Sequence, residues 1–191
     1  ARHLGSAGCH AVLSSLRHNG GLKELGLVGV GMKEASAADL APALGAAGRL
    51  RSLDLSRNWF GDAGLEAVGA GLRVNSCLTS LKLAGVGGSV VGARHVATAV
   101  GENSTLTKLT LDGNAIGVDG ANAVAGMLEV NRTLKSLSLR QCRLGDEGVS
   151  MVGDALVVNS TLKLLDLAFN RFSSDGAEVL LNGLCQNRGL T

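Results

Sequence analysis

NSTLTKLTLDGNAIGVDG, residues 103–120, places leucines at Leu106, Leu109 and Leu111, an asparagine at Asn114, and Ile116 and Gly120 beyond it. NSTLKLLDLAFNRFSSDG, residues 159–176, repeats that spacing 56 residues later. Leucine recurs at 22, 50, 78, 106, 134, 162 and 190, always 28 residues apart and without an insertion. Counting each of these as position 1, position 4 is Leu25, Leu53, Leu81, Leu109, Leu137 and Leu165, and position 6 is Leu27, Leu55, Leu83, Leu111, Leu139 and Leu167.

The remaining positions follow the same period. Position 9 reads Val30, Asn58, Val86, Asn114, Cys142 and Asn170; position 15 is glycine in Gly64, Gly92, Gly120, Gly148 and Gly176; position 26 is Asn75, Asn103, Asn131, Asn159 and Asn187. Alternation at positions 4 and 6 puts both leucines on one side of a short strand, with positions 3, 5 and 7 on the other. Positions 15, 19, 22 and 23, as in Gly120, Val124, Met127 and Leu128, recur at helical spacing. Each unit is therefore strand, loop, helix, loop. None can bury its leucines alone, so neighbours must stack around a shared core. Strands stack about 4.8 Å apart and helices about 8–10 Å, a mismatch that curves the stack with its strands inside.

The pattern L-x-x-L-x-L-x-x-N/C-x-L resembles the leucine-rich repeat. The 28-residue length, the G-D-x-G after the loop and the N-S-T-L closing each unit are most similar to the ribonuclease-inhibitor type found in NOD-like receptors. The resemblance implies an α/β right-handed solenoid, a horseshoe with parallel strands on the concave side and helices on the convex side. It divides a single domain, 1–191, into a partial repeat 1–21, repeats 22–49, 50–77, 78–105, 106–133, 134–161 and 162–189, and the start of another at 190–191. Both abrupt ends lead to the expectation of a fragment from a longer solenoid, or of ends covered by partners.

Several residue roles follow from the repeat. Asn58, Asn114 and Asn170 can donate to and accept from loop backbone that the strands leave unpaired, with Cys142 a weak substitute. Asp62, Asp119, Asp146 and Asp175 stand at helix starts, where free amides and the dipole favour carboxylates. In LKLAGVGGSVVGARHV, Val86 replaces the ladder asparagine and Gly88 the large apolar residue that should close the loop, so Val90 or Val91 is expected to swing inward. The glycine-rich GVGG lacks the G-K-[ST] of a phosphate loop and reads as a degenerate repeat. The first full repeat is irregular too, with Val30 at position 9 and Ser36 where glycine is usual.

Composition excludes several functions. Hydrophobic residues make up 46%, aromatic residues only 2%, and tyrosine is absent, which disfavours base-stacking platforms. A formal charge of +2 with no run of basic residues argues against nucleic acid, and no uninterrupted apolar stretch approaches the roughly 20 residues of a membrane span. Cys9, Cys77, Cys142 and Cys185 form no C-x-x-C pair, so neither a metal nor another cofactor is expected, and reduced thiols suit an intracellular, cytoplasmic setting. His3, His10, His18 and His95 recur with no ligand partner and read as solvated. The glycosylation sequons at Asn103, Asn131 and Asn159 read as turn residues because they fall on the period.

Catalytic residues are therefore absent from the reading, and protein binding through the inner face and adjoining loops is the expectation. Position 2 carries Lys23, Arg51, Lys135 and Lys163; the variable positions nearby carry Arg57, Trp59, Lys82, Asp112, Arg140, Gln141, Arg143, Asp166, Phe169 and Arg171. Exposed tryptophan, phenylalanine and arginine are enriched in interface hot spots. Trp59 should point outward between Asn58 and Phe60, while Arg140, Gln141, Arg143, Phe169 and Arg171 could form one patch. Ala41, Pro42, Gly69, Ala70, Val74, Ala97, Ala125, Gly126, Val130, Val157 and Val158 are expected on the solvent side of the helices. Such a bare convex face fits burial in a larger assembly or close helix packing. The alternative function is the substrate-targeting repeat region of a larger enzyme, or a sensor like the NOD-like receptors.

Overall fold

The first leucine of each Leu-x-Leu step is the centre of a three-residue strand, with the second leucine just beyond it, in the computed structural model, which describes residues 4–191. The strands are β1 (Glu24–Gly26), β2 (Ser52–Asp54), β3 (Ser80–Lys82), β4 (Lys108–Thr110), β5 (Ser136–Ser138) and β6 (Leu164–Asp166). They pair in parallel and in chain order, Leu53 beside Leu81 and Leu109 beside Leu137, so the 28-residue period is also the sheet register. A slip of one residue would turn the leucine faces outward. Leu78, Leu81 and Leu83 are fully buried, as are Leu106, Leu137 and Leu139. Leu25 and Leu165 are half-buried because β1 and β6 pair on one side only.

Helices cover the opposite face: α1 (Gly5–Leu16), α2 (Leu40–Ala46), α3 (Gly61–Val74), α4 (Val90–Glu102), α5 (Gly117–Val130), α6 (Gly145–Val158) and α7 (Ser174–Gln186). A 3-10 segment, Glu34–Asp39, precedes α2. Pro42 explains that break, since it lacks an N–H and its ring would meet the carbonyl of residue 38 in a continuous helix; restarting at Leu40 leaves it in a first turn. Ser36, standing where other repeats use glycine, is buried with its hydroxyl unpartnered among the described residues.

Glycine at position 15 is a packing requirement. A Cβ on Gly64 would collide with Phe60, and one on Gly120 with Ile116, the residues that close the loop beneath each helix. At Gly88 the void is filled from next door: a Cβ there would strike Leu65 of α3. The expected inward swing of Val90 or Val91 therefore does not occur; Val90 is half-buried and Val91 is 51% exposed.

The position-9 asparagines explain the valines between them. The Asn114 carbonyl accepts from the backbone N–H of Val86 at 3.2 Å and Gly88 at 3.1 Å, and its amide donates to the carbonyls of Leu83 and Leu111. Asn58 serves Met32 and Leu27 in the same way, and Asn170 serves Cys142 and Leu139. Each asparagine thus satisfies its own loop and the preceding one, so Val30 and Val86 leave little backbone unpaired. Cys142 adds only weak contacts to the Leu111 and Arg140 carbonyls at 3.4 Å.

A second ladder runs through position 26. Asn103 donates to the Leu72 and Asn75 carbonyls and accepts from the N–H of Thr105 and Leu106, joining a helix end to the next strand. Asn103, Asn131 and Asn159 are buried, which closes these sequons to a glycosyltransferase in the folded chain.

Two readings of the helices are corrected. Asp62 and Asp146 sit in the first turns of α3 and α6 but hydrogen-bond across to the next repeat: Asp62 accepts from Ser89 N–H, Ser89 Oγ and Gly92 N–H, and Asp146 from Ser173. The acceptor reaches the neighbour because Ser89 and Ser173 replace the left-handed glycines that open α3, α5 and α6. Gly69, Ala97 and Ala125 are buried between helices, since a Cβ on Gly69 would lie 2.9 Å from the His95 carbonyl oxygen. Ala41 is half-buried, while Pro42, Ala70, Val74, Gly126, Val130, Val157 and Val158 do face solvent.

Candidate binding rim

The loops leaving the strands decide where the variable side chains stand. At position 8 the backbone is left-handed in every full repeat: Gly29, Arg57, Gly85, Gly113, Gln141 and Phe169 have φ between 54° and 68°. This turn lets the N–H extend the ladder into the next repeat, Gly113 to the Arg140 carbonyl and Gln141 to that of Ala168. Position 10 is left-handed in Gly31, Gly87, Arg143 and Arg171, but not in Trp59 or Ala115, whose N–H groups instead reach the Met32 and Gly88 carbonyls.

Glycine adopts that conformation freely, whereas a larger L-residue is strained by about 1–2 kcal/mol. Arg57, Gln141, Arg143, Phe169 and Arg171 are the non-glycine residues with positive φ among those described, and all five stand on this rim. Four of them fall in two adjacent repeats. Local strain maintained by the surrounding fold concentrates at functional positions.

Gln141, Arg143, Phe169 and Arg171 border one basin of about 490 Å³ with Gly113, Asn114 and Ala115. Phe169 is 67% exposed, with the Arg140 guanidinium 5.0 Å from its ring centre, a cation–π arrangement. Arg140 is held in turn by Asp166, Nη1 to Oδ2 at 2.8 Å. The hydrogen bond from Arg140 and one from the Ala168 N–H hold the Asp166 carboxyl below its ordinary range, and the same pairing raises Arg140. Asp112 accepts from Ser138 Oγ at 2.6 Å and the Arg140 N–H at 2.9 Å. Asp112, Arg140 and Asp166 therefore brace the patch from the strand side. Arg143 and Arg171 form no ion pair with a carboxylate among the described residues.

The other candidates lie apart. Arg57 and Trp59 border a second basin with Gly29, Gly31, Met32 and Lys33. Trp59 is 77% exposed and its ring lies against Gly87, where a Cβ would stand 3.1 Å from Cε3. Lys82 belongs to neither basin; its Nζ is 3.7 Å from Asp54 Oδ2 on the neighbouring strand. Lys33 was missed from the sequence because repeat one breaks the pattern there. The left-handed requirement was signalled by Gly29, Gly85 and Gly113 at position 8.

His3 lies outside the described residues. His10 contacts Asp39 at 2.9 Å on the surface, a pairing the spacing did not suggest, while His18 is exposed and His95 half-buried. Among the described residues no group of three His, Cys, Asp or Glu side chains could hold a metal ion, and no helix is long and apolar enough to cross a membrane.

Comparison with known proteins agrees with this geometry. The family described as "Leucine Rich repeat" matches residues 50–69, 102–125, 130–153 and 158–181. No curated protein matches the chain by sequence. Among solved structures, "Leiomodin-1 Actin-Binding Site 2 (ABS2)" superposes with a TM-score of 0.64 at 18% identity, covering 92% of this chain and 86% of its own. A tropomodulin C-terminal domain from Caenorhabditis elegans gives a TM-score of 0.63 at 11% identity, covering 94% and 92%. These neighbours share the fold. The four repeat matches, the parallel ladder in register and the two asparagine ladders show that the chain is a solenoid of leucine-rich repeats, consistent with the ribonuclease-inhibitor type.

Proposed function

We propose that this chain is a non-catalytic protein-interaction module that holds a macromolecular partner through its strand face and the loops leaving it. The observation that carries the reading is the set of five strained side chains at positions where sister repeats place glycine. Folding alone favours glycine there, and larger residues held in this strained backbone support a role in contact. The exposed Trp59 and Phe169 supply rigid apolar area of the kind that dominates interfaces. A neighbour of this fold carries an actin-binding site, which supports protein as the ligand class. Unpaired thiols at Cys9, Cys77, Cys142 and Cys185 suit a reducing, intracellular compartment.

The test is quantitative capture of partners by the wild type and by a Trp59→Ala, Arg143→Ala, Phe169→Ala variant, with Val130→Ser on the helical side as control. Loss with the triple variant and retention with the control is expected. Equal recovery by all three contradicts the reading.

A further inference from the structure

We infer that the basin of repeats four to six recognises an acidic peptide segment, one carboxylate lying between Arg143 and Arg171 with an apolar neighbour against Phe169. This rests on the interaction reading above and adds the chemistry of the partner. The rim carries two kinds of arginine. Arg140 is engaged by Asp166 and lies over the Phe169 ring, so its charge is spent within the fold. Arg143 and Arg171 have the same position in adjacent repeats, the same left-handed backbone at φ 60° and 56°, and no carboxylate partner among the described residues. Planar guanidinium groups with free donors match a carboxylate through charge-assisted hydrogen bonds.

The opposite wall is small. Gly113 and Ala115 occupy positions 8 and 10 of repeat four, where repeats five and six carry Gln141, Arg143, Phe169 and Arg171. The step from small to large side chains between adjacent repeats creates the basin of about 490 Å³, room for side chains of a partner. Gln141 adds an amide that can pair with extended peptide backbone. A nucleic-acid strand fits less well: Asp112 and Asp166 line the strand side of this patch, Phe169 is its single aromatic ring, and the whole chain carries a charge of only +2.

The test uses three fluorescein-labelled probes on the full chain: a peptide of alternating glutamate and leucine, its lysine–leucine counterpart, and oligo-uridine RNA. The expected result is preferential binding of the glutamate–leucine peptide, weakened about tenfold by Arg143→Gly and by Arg171→Gly, as for loss of one charge-assisted hydrogen bond. Glycine is the residue that sister repeats place in this backbone, so both variants keep the fold. No binding of that peptide, equal binding of the lysine peptide, tighter binding of the RNA, or unchanged affinity in the glycine variants each overturns the proposal. If the glycine variants leave the peptide unaffected while the triple alanine variant abolishes partner capture, acid recognition fails and the interaction reading stands; if capture is also unchanged, both fail.

Discussion

Phe169 and Gly113 share one backbone conformation, φ 61° and 68°, two repeats apart on the same rim. A fold that needs this turn in every repeat admits a bulky residue only at a cost. Gly85 and Gly113 have no close neighbour that a methyl group would displace, so Gly85→Ala and Gly113→Ala isolate the backbone strain. Each is expected to lower unfolding free energy by about 1 kcal/mol, read from urea denaturation. No loss at either would remove the strain argument.

Asn114→Ala should be among the most damaging polar truncations. It leaves the Val86 and Gly88 N–H groups and the Leu83 carbonyl without their side-chain partner in the core. At about 1–3 kcal/mol for a buried group left unpaired, the expected loss is about 2–4 kcal/mol. Cys142→Ala removes only two long sulfur contacts and is expected to cost less. Equal costs would show that the asparagine is not shared between repeats.

Acid should loosen the joint between α3 and α4. Burial raises the Asp62 carboxyl, but hydrogen bonds from Ser89 and Gly92 and the charge of His95 outweigh it, leaving its pKa lowered. A group depressed on folding stabilises above its unfolded value, near 3.9, and that contribution disappears as pH falls through the folded value. Asp62→Asn should therefore be less stable than wild type near pH 7 and show a shallower loss between about pH 4 and pH 2. Parallel acid profiles would contradict this.

Thiol reactivity should rank by environment. Cys142 is fully buried and its thiol is pushed up to about 12 by burial, whereas Cys185 is exposed. At about pH 8 an aromatic disulfide reagent should modify Cys185 first and reach Cys142 only on unfolding. Prompt reaction at Cys142 would contradict the buried loop.

What could be read from the chain was whatever the period carries. Leu81 and Leu109 pair because both stand at position 4, and Gly64 and Gly120 recur because the closing residues Phe60 and Ile116 need that space. The relations that escaped join unlike positions in neighbouring repeats. Leu65 fills the gap left at Gly88, and Asp62 caps the helix behind Ser89, 27 residues away. Gly69 is buried for a related reason, since its spacing marks a helix surface but not which neighbour crosses it. The patch of Gln141, Arg143, Phe169 and Arg171 was legible as variable residues at a common register, whereas their strain became visible only with the backbone.

The most direct measurement is a paired one on the Gln141→Gly, Arg143→Gly, Arg171→Gly variant. Relief of strain at about 1–2 kcal/mol per site, less about 0.5–1 per site for the added freedom of glycine, predicts a net gain of about 1.5–3 kcal/mol over the three sites in urea denaturation. The same variant should lose affinity for the glutamate–leucine peptide. Gained stability with lost binding is the predicted result; lower stability with unchanged binding would contradict the claim that these loops trade stability for contact.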